Sequence, residues 1–293
     1  MPMLIYLHAV GFGLVTASIL ALASVGLSLQ FGVTNYINFA YGEMLTFGAY
    51  FAWLANAHYG WNIWLALLVG AVLTGILGVI LNLVVLAPFV RKGYPVLFML
   101  VVTFGLSLVL SNVILAIWGG DFRQFSVGRD TQHAIGPFLF TGQQLVIIGI
   151  AVAAMLGLHV LLNYTKIGKA MRAMSDNPSL AKNCGIDTEQ VTNFTWLLSG
   201  FLAGLAGVVL ALNISSFQPA SGGDFLFVIF AAVILGGIGK PYGAMAGALV
   251  IGLVTEIAAV PLSSDFKNDA AFVILVIVLL LRPQGIFATE GKA

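Results

Sequence analysis

The stretch Tyr164–Gln190, YTKIGKAMRAMSDNPSLAKNCGIDTEQ, is a polar, basic insert in a chain that is otherwise almost continuously apolar. Hydrophobic residues make up 60% of the 293 residues and charged residues only 8%, whereas a soluble domain carries about a quarter charged residues. The mean hydropathy is +1.04. The sequence therefore predicts an all-α bundle of membrane-spanning helices, forming one domain over residues 1–293. We expect the insert, residues 164–190, to be exposed on one face.

Apolar stretches along the chain predict eight or nine membrane crossings, since a helix needs about 20 apolar residues to span a bilayer. The second, seventh and ninth stretches are short, so one or two of them can be re-entrant where protein surrounds the backbone. The stretches lie near residues 7–29, 41–56, 63–86, 96–118, 143–163, 191–213, 224–238, 241–262 and 270–282.

The distribution of lysine and arginine predicts the orientation, because loops on the cytoplasmic side carry an excess of these residues. With nine crossings and the C-terminus inside, most of the basic residues lie inside, and the N-terminus lies outside. The inside set is Arg91, Lys92, Lys166, Lys169, Arg172, Lys182, Lys240, Arg282 and Lys292, and the outside set is Arg123, Arg129 and Lys267. The insert is then cytoplasmic.

The second half of the insert carries the signals of a short, deliberately terminated helix. Asn177 is a good N-cap, Pro178 suits the first helical position, and Gly185 suits the end. Leu180, Ala181 and Cys184 are predicted to share one face. The preceding segment, residues 167–174, is expected to extend the fifth span inward. A helix this short does not hold in water alone, so we expect it to pack on the bundle or on a partner.

Several classes of function are disfavoured by composition. A net charge of +1 gives no basic surface for nucleic acid. The single cysteine, Cys184, forms no disulfide within the chain, and the four histidines show no paired spacing, so no metal site is expected. The run Gly236–Lys240, GGIGK, is followed by Pro241 rather than serine or threonine, and Ile234 stands where a phosphate loop has glycine. No catalytic residues and no cofactor are therefore expected in this chain.

Five segments of the chain resemble segments of a known family, and they occur in the same order as in that family. They are NYINFAYGEMLTFGAYFAW at Asn35–Trp53, VTFGLS at Val102–Ser107, the insert itself, GGIGKPYGAMAGALVIGLVTE at Gly236–Glu256 and AFVILVIVLLLRPQGIF at Ala271–Phe287. Together they resemble the inner-membrane permeases of branched-chain amino acid ABC importers, the LivH-type subunit in particular.

The resemblance implies a bacterial inner-membrane, multi-pass permease with several partners. These are a second permease chain of a different, M-type kind, two cytoplasmic ATPases that bind ATP and Mg²⁺, and a periplasmic solute-binding protein. The insert is implied to be the coupling loop that sits in a groove of an ATPase. The residues expected to carry this coupling are Lys169, Arg172, Asp176, Asn177, Pro178, Lys182 and Gly185.

Polar residues inside apolar stretches are the candidates for a solute path. A carboxylate deep in lipid costs roughly 2.5–3.5 kcal/mol, so Glu43 is expected to face the bundle interior or water. The expected set is Asn38, Tyr41, Glu43, Thr103, Ser107 and Asn112. Each also has a structural interpretation: Glu43 as a cap on a neighbouring helix N-terminus, and Thr103 and Ser107 as bonds between helices. Glu256, in the outer half of the eighth stretch, presents the same choice.

Other functions remain open on the sequence. The wider superfamily includes permeases for urea, short amides and sugars, so the solute is not fixed by the resemblance. An ion-driven secondary transporter would work without ATP or partners. An intramembrane enzyme using Glu43 or Glu256 as acid or base needs a second catalytic group on an adjacent helix, and the sequence shows no such pair.

Overall fold

The computed structural model of the chain describes residues 2–128, 131–135, 138–262 and 267–281. Arg129, Arg282, Lys292 and the tail motif from residue 282 onward lie outside these residues. The helices are α1 Pro2–Thr34, α2 Tyr41–Trp53, α3 Ile63–Leu81, α4 Ala87–Arg91, α5 Val96–Trp118, α6 Gly142–Tyr164, α7 Lys166–Asp176, α8 Pro178–Asn183, α9 Thr188–Ile214, α10 Ser221–Gly236, α11 Pro241–Leu262 and α12 Lys267–Leu281. Each of the nine predicted apolar stretches is helical, which confirms the all-α membrane bundle.

Two features are added to the predicted helices. Single π-helical turns, Leu54–His58 and Asn82–Leu86, extend α2 and α3. A short antiparallel hairpin, β1 Gln132–Ile135 and β2 Phe138–Thr141, precedes α6, with Gln132 opposite Thr141. The hairpin is a local addition to the all-α bundle.

Six helices in the described part of the chain are long and apolar enough to cross a membrane. They are Ile5–Thr34, Ile63–Arg91, Val96–Trp118, Gly142–Tyr164, Thr188–Ile214 and Pro241–Pro261. Ser221–Gly236 and Asp269–Leu280 are shorter apolar helices. Helix α2 has only 13 residues and a nearly completely buried surface. The number of crossings, eight or nine, therefore stays a prediction.

The chain divides into two compact units, with boundaries inside α1, between α5 and β1, inside α6 and inside α10. One unit takes its described residues from Met1–Val25, Gly128–Leu156 and Phe227–Ala293. The other takes them from Gly26–Val127 and Gly157–Leu226. We refer to them as the first and second unit.

Helix α2 is the core of the second unit and packs against α3 and α9. Glycines permit the close approach: a Cβ on Gly48 of α2 would lie 2.6 Å from the Cα of Gly204 in α9. A Cβ on Gly70 of α3 would lie 2.7 Å from the carbonyl oxygen of Gly48. Small residues that bring helix backbones together are typical of membrane proteins. Glycines thus line the crossings of α2 with α3 and α9.

An aromatic cluster lies at the C-terminal end of α2. The Tyr50 ring lies 5.0 Å from that of Trp118 and 5.1 Å from that of Phe217. The backbones of Arg123 and Phe217 exchange two hydrogen bonds, of 2.8 and 3.0 Å. These contacts fix the segments that follow α5 and α9 onto the end of α2.

In the first unit, α10 and α11 meet through Gly236 and Gly243, and α11 packs against α12. A tight turn joins α10 to α11: α10 ends at Gly236, and α11 begins at Pro241 after Gly237 and Gly239 adopt positive φ of 99° and 79°. Glu256 of α11 accepts hydrogen bonds from Thr16 Oγ1 at 3.0 Å and from Lys267 Nζ at 2.7 Å. This half-buried cluster ties three helices together.

Candidate functional site

Polar side chains gather where the chain turns from α1 into α2. The turn, residues 35–40, opens with Asn35 at φ +58° and then runs through largely buried positions. Asn38 Nδ2 donates to Gln30 Oε1 at 3.3 Å, and Asn38 Oδ1 accepts from the Ala40 amide at 3.0 Å. A buried amide with both ends engaged positions the start of α2. The structure places Asn38 beside the predicted path residues on α2.

Tyr41 and Thr103 tie the same turn to its neighbours. The Tyr41 hydroxyl donates to the carbonyl oxygen of Ser199 in α9 at 3.5 Å, and Tyr41 is fully buried. The Thr103 hydroxyl on α5 lies 3.1 Å from the Ile37 carbonyl oxygen and 3.1 Å from that of Leu100. Both hydroxyls therefore make hydrogen bonds within the fold.

Glu43 is the most unusual group in the second unit. It stands in the first turn of α2 with only 5% of its surface exposed. Its Oε1 accepts a hydrogen bond from Ser107 Oγ of α5 at 3.3 Å. Its Oε2 is buried and has no hydrogen-bond partner in the described part of the chain.

The start of α10 completes the surroundings of Glu43, and it was not among the residues predicted for the site. A Cβ on Gly223 would lie 3.3 Å from Glu43 Oε1, so a glycine there leaves room for the carboxylate. The Gly222 amide donates to Thr46 Oγ1 at 3.1 Å. Asp224 acts on Glu43 electrostatically. The run Ser-Gly-Gly-Asp at residues 221–224 was the available signal, but nothing in the sequence links it to residue 43.

Asn112 is not part of this group. It is exposed on α5, and its Nδ2 donates to the Leu108 carbonyl oxygen at 2.7 Å, one turn back on the same helix. Helix geometry explains the separation, because residues 103 and 107 share a face whereas residue 112 is rotated away from it. The structure joins Ser107 to Glu43, and it joins Thr103 to the turn that precedes α2 and holds Asn38, whereas Tyr41 bonds to α9 and Asn112 lies apart.

The insert forms two short helices rather than an extension of the fifth span. Helix α6 ends at Tyr164, and Thr165, with extended backbone, caps α7 by accepting from the Gly168 amide at 3.0 Å. Gly168 packs directly on the backbone of Leu161 and Leu162. The prediction that residues 167–174 extend the fifth span inward is therefore wrong, because the extended backbone of Thr165 ends α6 and Gly168 packs back on its last turn.

The second of these helices, α8, has the predicted ends. Asn177 Oδ1 accepts from the Leu180 amide at 3.0 Å, Pro178 occupies the first position, and Gly185 follows with φ +85°. The predicted shared face is wrong in part: Ala181 is buried, whereas Leu180 and Cys184 are exposed. The cause is the orientation of α8, which turns only the Ala181 side toward the bundle.

All of the predicted coupling residues are exposed. On α7, Lys169, Arg172 and Asp176 point outward while Met171 and Met174 are buried. The remaining exposed members are Asn177, Pro178, Lys182 and Gly185. The insert thus buries one apolar side on the second unit and presents three lysines, an arginine and the apolar Leu180 outward.

A cleft of about 410 Å³ lies between the insert and the ends of α1, α3 and α9. Two pairs link α3–α4 to α9 there: Asn82 Nδ2 donates to Asn193 Oδ1 at 2.8 Å, and Arg91 forms a 2.9 Å ion pair with Glu189. The lining residues include Val33, Tyr36, Asn82, Val90, Arg91, Met174, Ser179, Lys182, Glu189 and Asn193. Because α8 forms part of the wall, a displacement of α8 changes the shape of this cleft.

The described residues contain no group of three or more His, Cys, Asp or Glu side chains suited to a metal ion. The site offers carboxylates, hydroxyls and amides beside long apolar helices. These features define a polytopic helical membrane protein with a polar cluster in its bundle and a built insert at one end.

The chain belongs to the family described as "Branched-chain amino acid transport system / permease component", whose model matches residues 9–281. It is 32% identical to the probable branched-chain amino acid transport permease protein LivH of Methanocaldococcus jannaschii, over 95% of this chain and 91% of that protein. It is 29% identical to the high-affinity permease protein LivH of Escherichia coli K12, over 97% and 96%. It is 27% identical to the high-affinity permease protein BraD of Pseudomonas aeruginosa, over 96% of this chain and 95% of that protein. No solved structure matches the chain significantly.

Proposed function

We propose that this chain is the translocation subunit of an ATP-driven importer for branched-chain amino acids. The carrying observation is its membership of this permease family over residues 9–281, combined with a capped, outward-facing cationic insert on the membrane bundle. The relatives are named as branched-chain amino acid permeases, which supports this class of solute over urea, amides or sugars.

The proposed assembly contains four further components: a second permease of a different kind, two cytoplasmic ATPases and a periplasmic binding protein. ATP and Mg²⁺ bind to the ATPases. The chain lies in the inner membrane with eight or nine crossings and its C-terminus in the cytoplasm. The excess of lysine and arginine on the proposed inner face supports this orientation.

In the proposed mechanism, the ATPases act on the bundle through α7 and α8. The exposed Lys169, Arg172 and Lys182 and the apolar Leu180 form the contact surface. Closure of the ATPases on ATP moves α8, which reshapes the adjoining cleft and shifts the ends of α3 and α9. A partner drives such a change only if it binds the two states of the permease with different affinity.

Uptake by the complete complex in sealed vesicles tests this function. We expect the wild type to accumulate a branched-chain amino acid only when ATP and the binding protein are supplied. The double variant Arg172→Glu, Lys182→Glu should lose ATPase association and lower uptake by about tenfold or more, which corresponds to roughly 1.4 kcal/mol. Lys92→Glu, an exposed charge reversal outside the insert, is the matched control and should import normally.

Two results would count against the proposal. Accumulation without ATP, driven by an ion gradient, would identify a secondary transporter. A double variant that keeps its ATPases and its uptake would show that coupling does not run through α7 and α8.

A further inference from the structure

Only one of the two carboxylate oxygens of Glu43 accepts a hydrogen bond from the described residues. One oxygen accepts from Ser107 Oγ at 3.3 Å, and the other, Oε2, is buried and has no donor in the described part of the chain. Only 5% of the surface of Glu43 is exposed. A buried charged oxygen without a donor is costly, so a donor is expected to be supplied from outside this cluster.

The charge at this place is also uncompensated. Among the described residues, the two ion pairs are Arg91–Glu189 and Lys267–Glu256, and neither includes Glu43 or Asp224. Asp224 adds a second negative charge that acts on Glu43. Two carboxylates without a cation attract a positively charged ligand.

A route to the carboxylate and an apolar surface lie next to it. Asp224 is exposed, Gly223 and Ser107 are half-buried, and Glu43 is buried, so the polar groups lead from the surface inward. On α5, Phe104 and Leu108 flank Ser107 and are each 54% exposed. Residues 104, 107 and 108 share one side of the helix. A ligand here meets negative charge and apolar surface together.

We infer that Glu43, assisted by Ser107 and Asp224, receives the ammonium group of the amino acid during its passage. This rests on the proposed function and names the chemical group of the solute that the cluster recognises. An ammonium group supplies three hydrogen-bond donors and one positive charge. The aliphatic side chain of the same solute lies against Phe104 and Leu108. Glu43 is thereby a specificity-determining residue for solutes that carry an ammonium group.

Chemical protection tests the inference on the purified complete complex. An apolar carbodiimide activates accessible membrane carboxyl groups, which then form a stable carbodiimide adduct or, with an amine probe, an amide. Mass spectrometry measures the fraction of the Glu43 peptide that stays unmodified, so both products count as modification. The probes are L-leucine, isopentylamine, which keeps the ammonium group alone, and 2-hydroxyisocaproate, which lacks it. Sodium chloride at matched ionic strength serves as the ion probe. The Glu43→Gln variant gives the background level of modification of this peptide.

We expect leucine and isopentylamine to slow modification of Glu43 by about threefold or more, and 2-hydroxyisocaproate and sodium to leave it unchanged. Equal protection by every probe or by none overturns the inference, as does protection by sodium alone. A Glu43 carboxyl group that never reacts also overturns it, because it would then be sealed from any solute route.

Uptake by variants supplies an independent measurement. Glu43→Gln keeps the size and the hydrogen bond to Ser107 but removes the charge, and we expect uptake to fall by about tenfold, as for loss of one charge-assisted hydrogen bond. Asp121→Asn removes an exposed carboxylate elsewhere in the second unit and should import normally. A Glu43→Gln complex that assembles and imports at the wild-type rate contradicts the inference. The wild type is measured in the same experiment. If its uptake depends on ATP, the proposed function stands whatever the variant does; if the wild type shows no ATP-dependent uptake, the proposed function itself has failed.

Discussion

Individual glycines determine how closely the helices of the second unit approach. Gly48 is the clearest case, since a Cβ there would lie 2.6 Å from the Cα and 2.9 Å from the carbonyl oxygen of Gly204. Backbone atoms cannot move aside as a flexible side chain can. We expect Gly48→Ala to lower the free energy of unfolding by about 1–3 kcal/mol, the usual range for overpacking. The melting temperature of the purified chain in detergent measures it.

Gly105 provides the matched control. It lies exposed on α5, and a Cβ there would meet no heavy atom within 4 Å. Gly105→Ala is expected to keep or slightly raise the melting temperature, because alanine favours a helix over glycine by roughly 0.5–1 kcal/mol. Equal losses in the two variants would show that the crossing of α2 and α9 is not as close as described.

Within the described residues, two carboxylates form ion pairs, and they differ in burial and therefore in their expected contribution to stability. The Glu256 side chain is 12% exposed and accepts from both Thr16 and Lys267, whereas the Glu189 side chain is 65% exposed and pairs with Arg91. We expect Glu256→Ala to destabilise the chain by about 1–3 kcal/mol through lost hydrogen bonds to a charged group. Glu189→Ala is expected to cost less than about 1 kcal/mol. Thermal unfolding of both variants in the same detergent measures the two losses of stability. A larger loss for Glu189→Ala than for Glu256→Ala would contradict the structural role assigned to Glu256.

At the level of elements, the cap on α8 is expected to keep the insert in shape. Asn177→Ala removes the acceptor for the Leu180 amide and should cost about 1 kcal/mol of local stability. We predict that amide hydrogen exchange in α8 accelerates about fivefold while the melting temperature of the bundle stays the same. Asn183→Ala, at the end of the same helix, is the control and should leave exchange unchanged. Unaltered exchange in Asn177→Ala would mean that packing of Ala181, not the cap, holds α8.

Elements with strong local signals could be predicted from the sequence. The apolar stretches are helices, and Asn177, Pro178 and Gly185 bound α8, because span length and cap chemistry are local properties. The break at Thr165 escaped prediction, since a threonine cap competes with helix continuation and the outcome depends on the packing of Gly168 on α6. Asn112 was grouped with Ser107 by polarity alone, although helix geometry separates their faces.

The candidate site could be predicted only in part for a related reason. Glu43 is conspicuous in an apolar stretch, and Ser107 shares a face with Thr103, but their contact joins residues 64 positions apart. Gly223 and Asp224 reach Glu43 from an even more distant segment. Tertiary pairings of this range carry no local periodicity, so the sequence identifies the members of a site and not their contacts.

Two statements concern the complete chain: it is a membrane permease, and, as we propose, its insert faces the cytoplasm and contacts the ATPases. Family membership over residues 9–281 supports the first. The second depends on the orientation deduced from lysine and arginine, because the six membrane-length helices carry no direction of their own. An inverted orientation would place α8 where no ATPase reaches it.

The single cysteine offers the most direct test of this second claim. Cys184 is the only cysteine of the chain, is exposed, and directly follows α8. A membrane-impermeant maleimide is applied to sealed right-side-out vesicles and to inverted vesicles from the same cells, and the ATPase subunits are then added to the inverted ones. The account predicts labelling of Cys184 in inverted vesicles alone, and slower labelling once the ATPases bind. Labelling in intact right-side-out vesicles would contradict it.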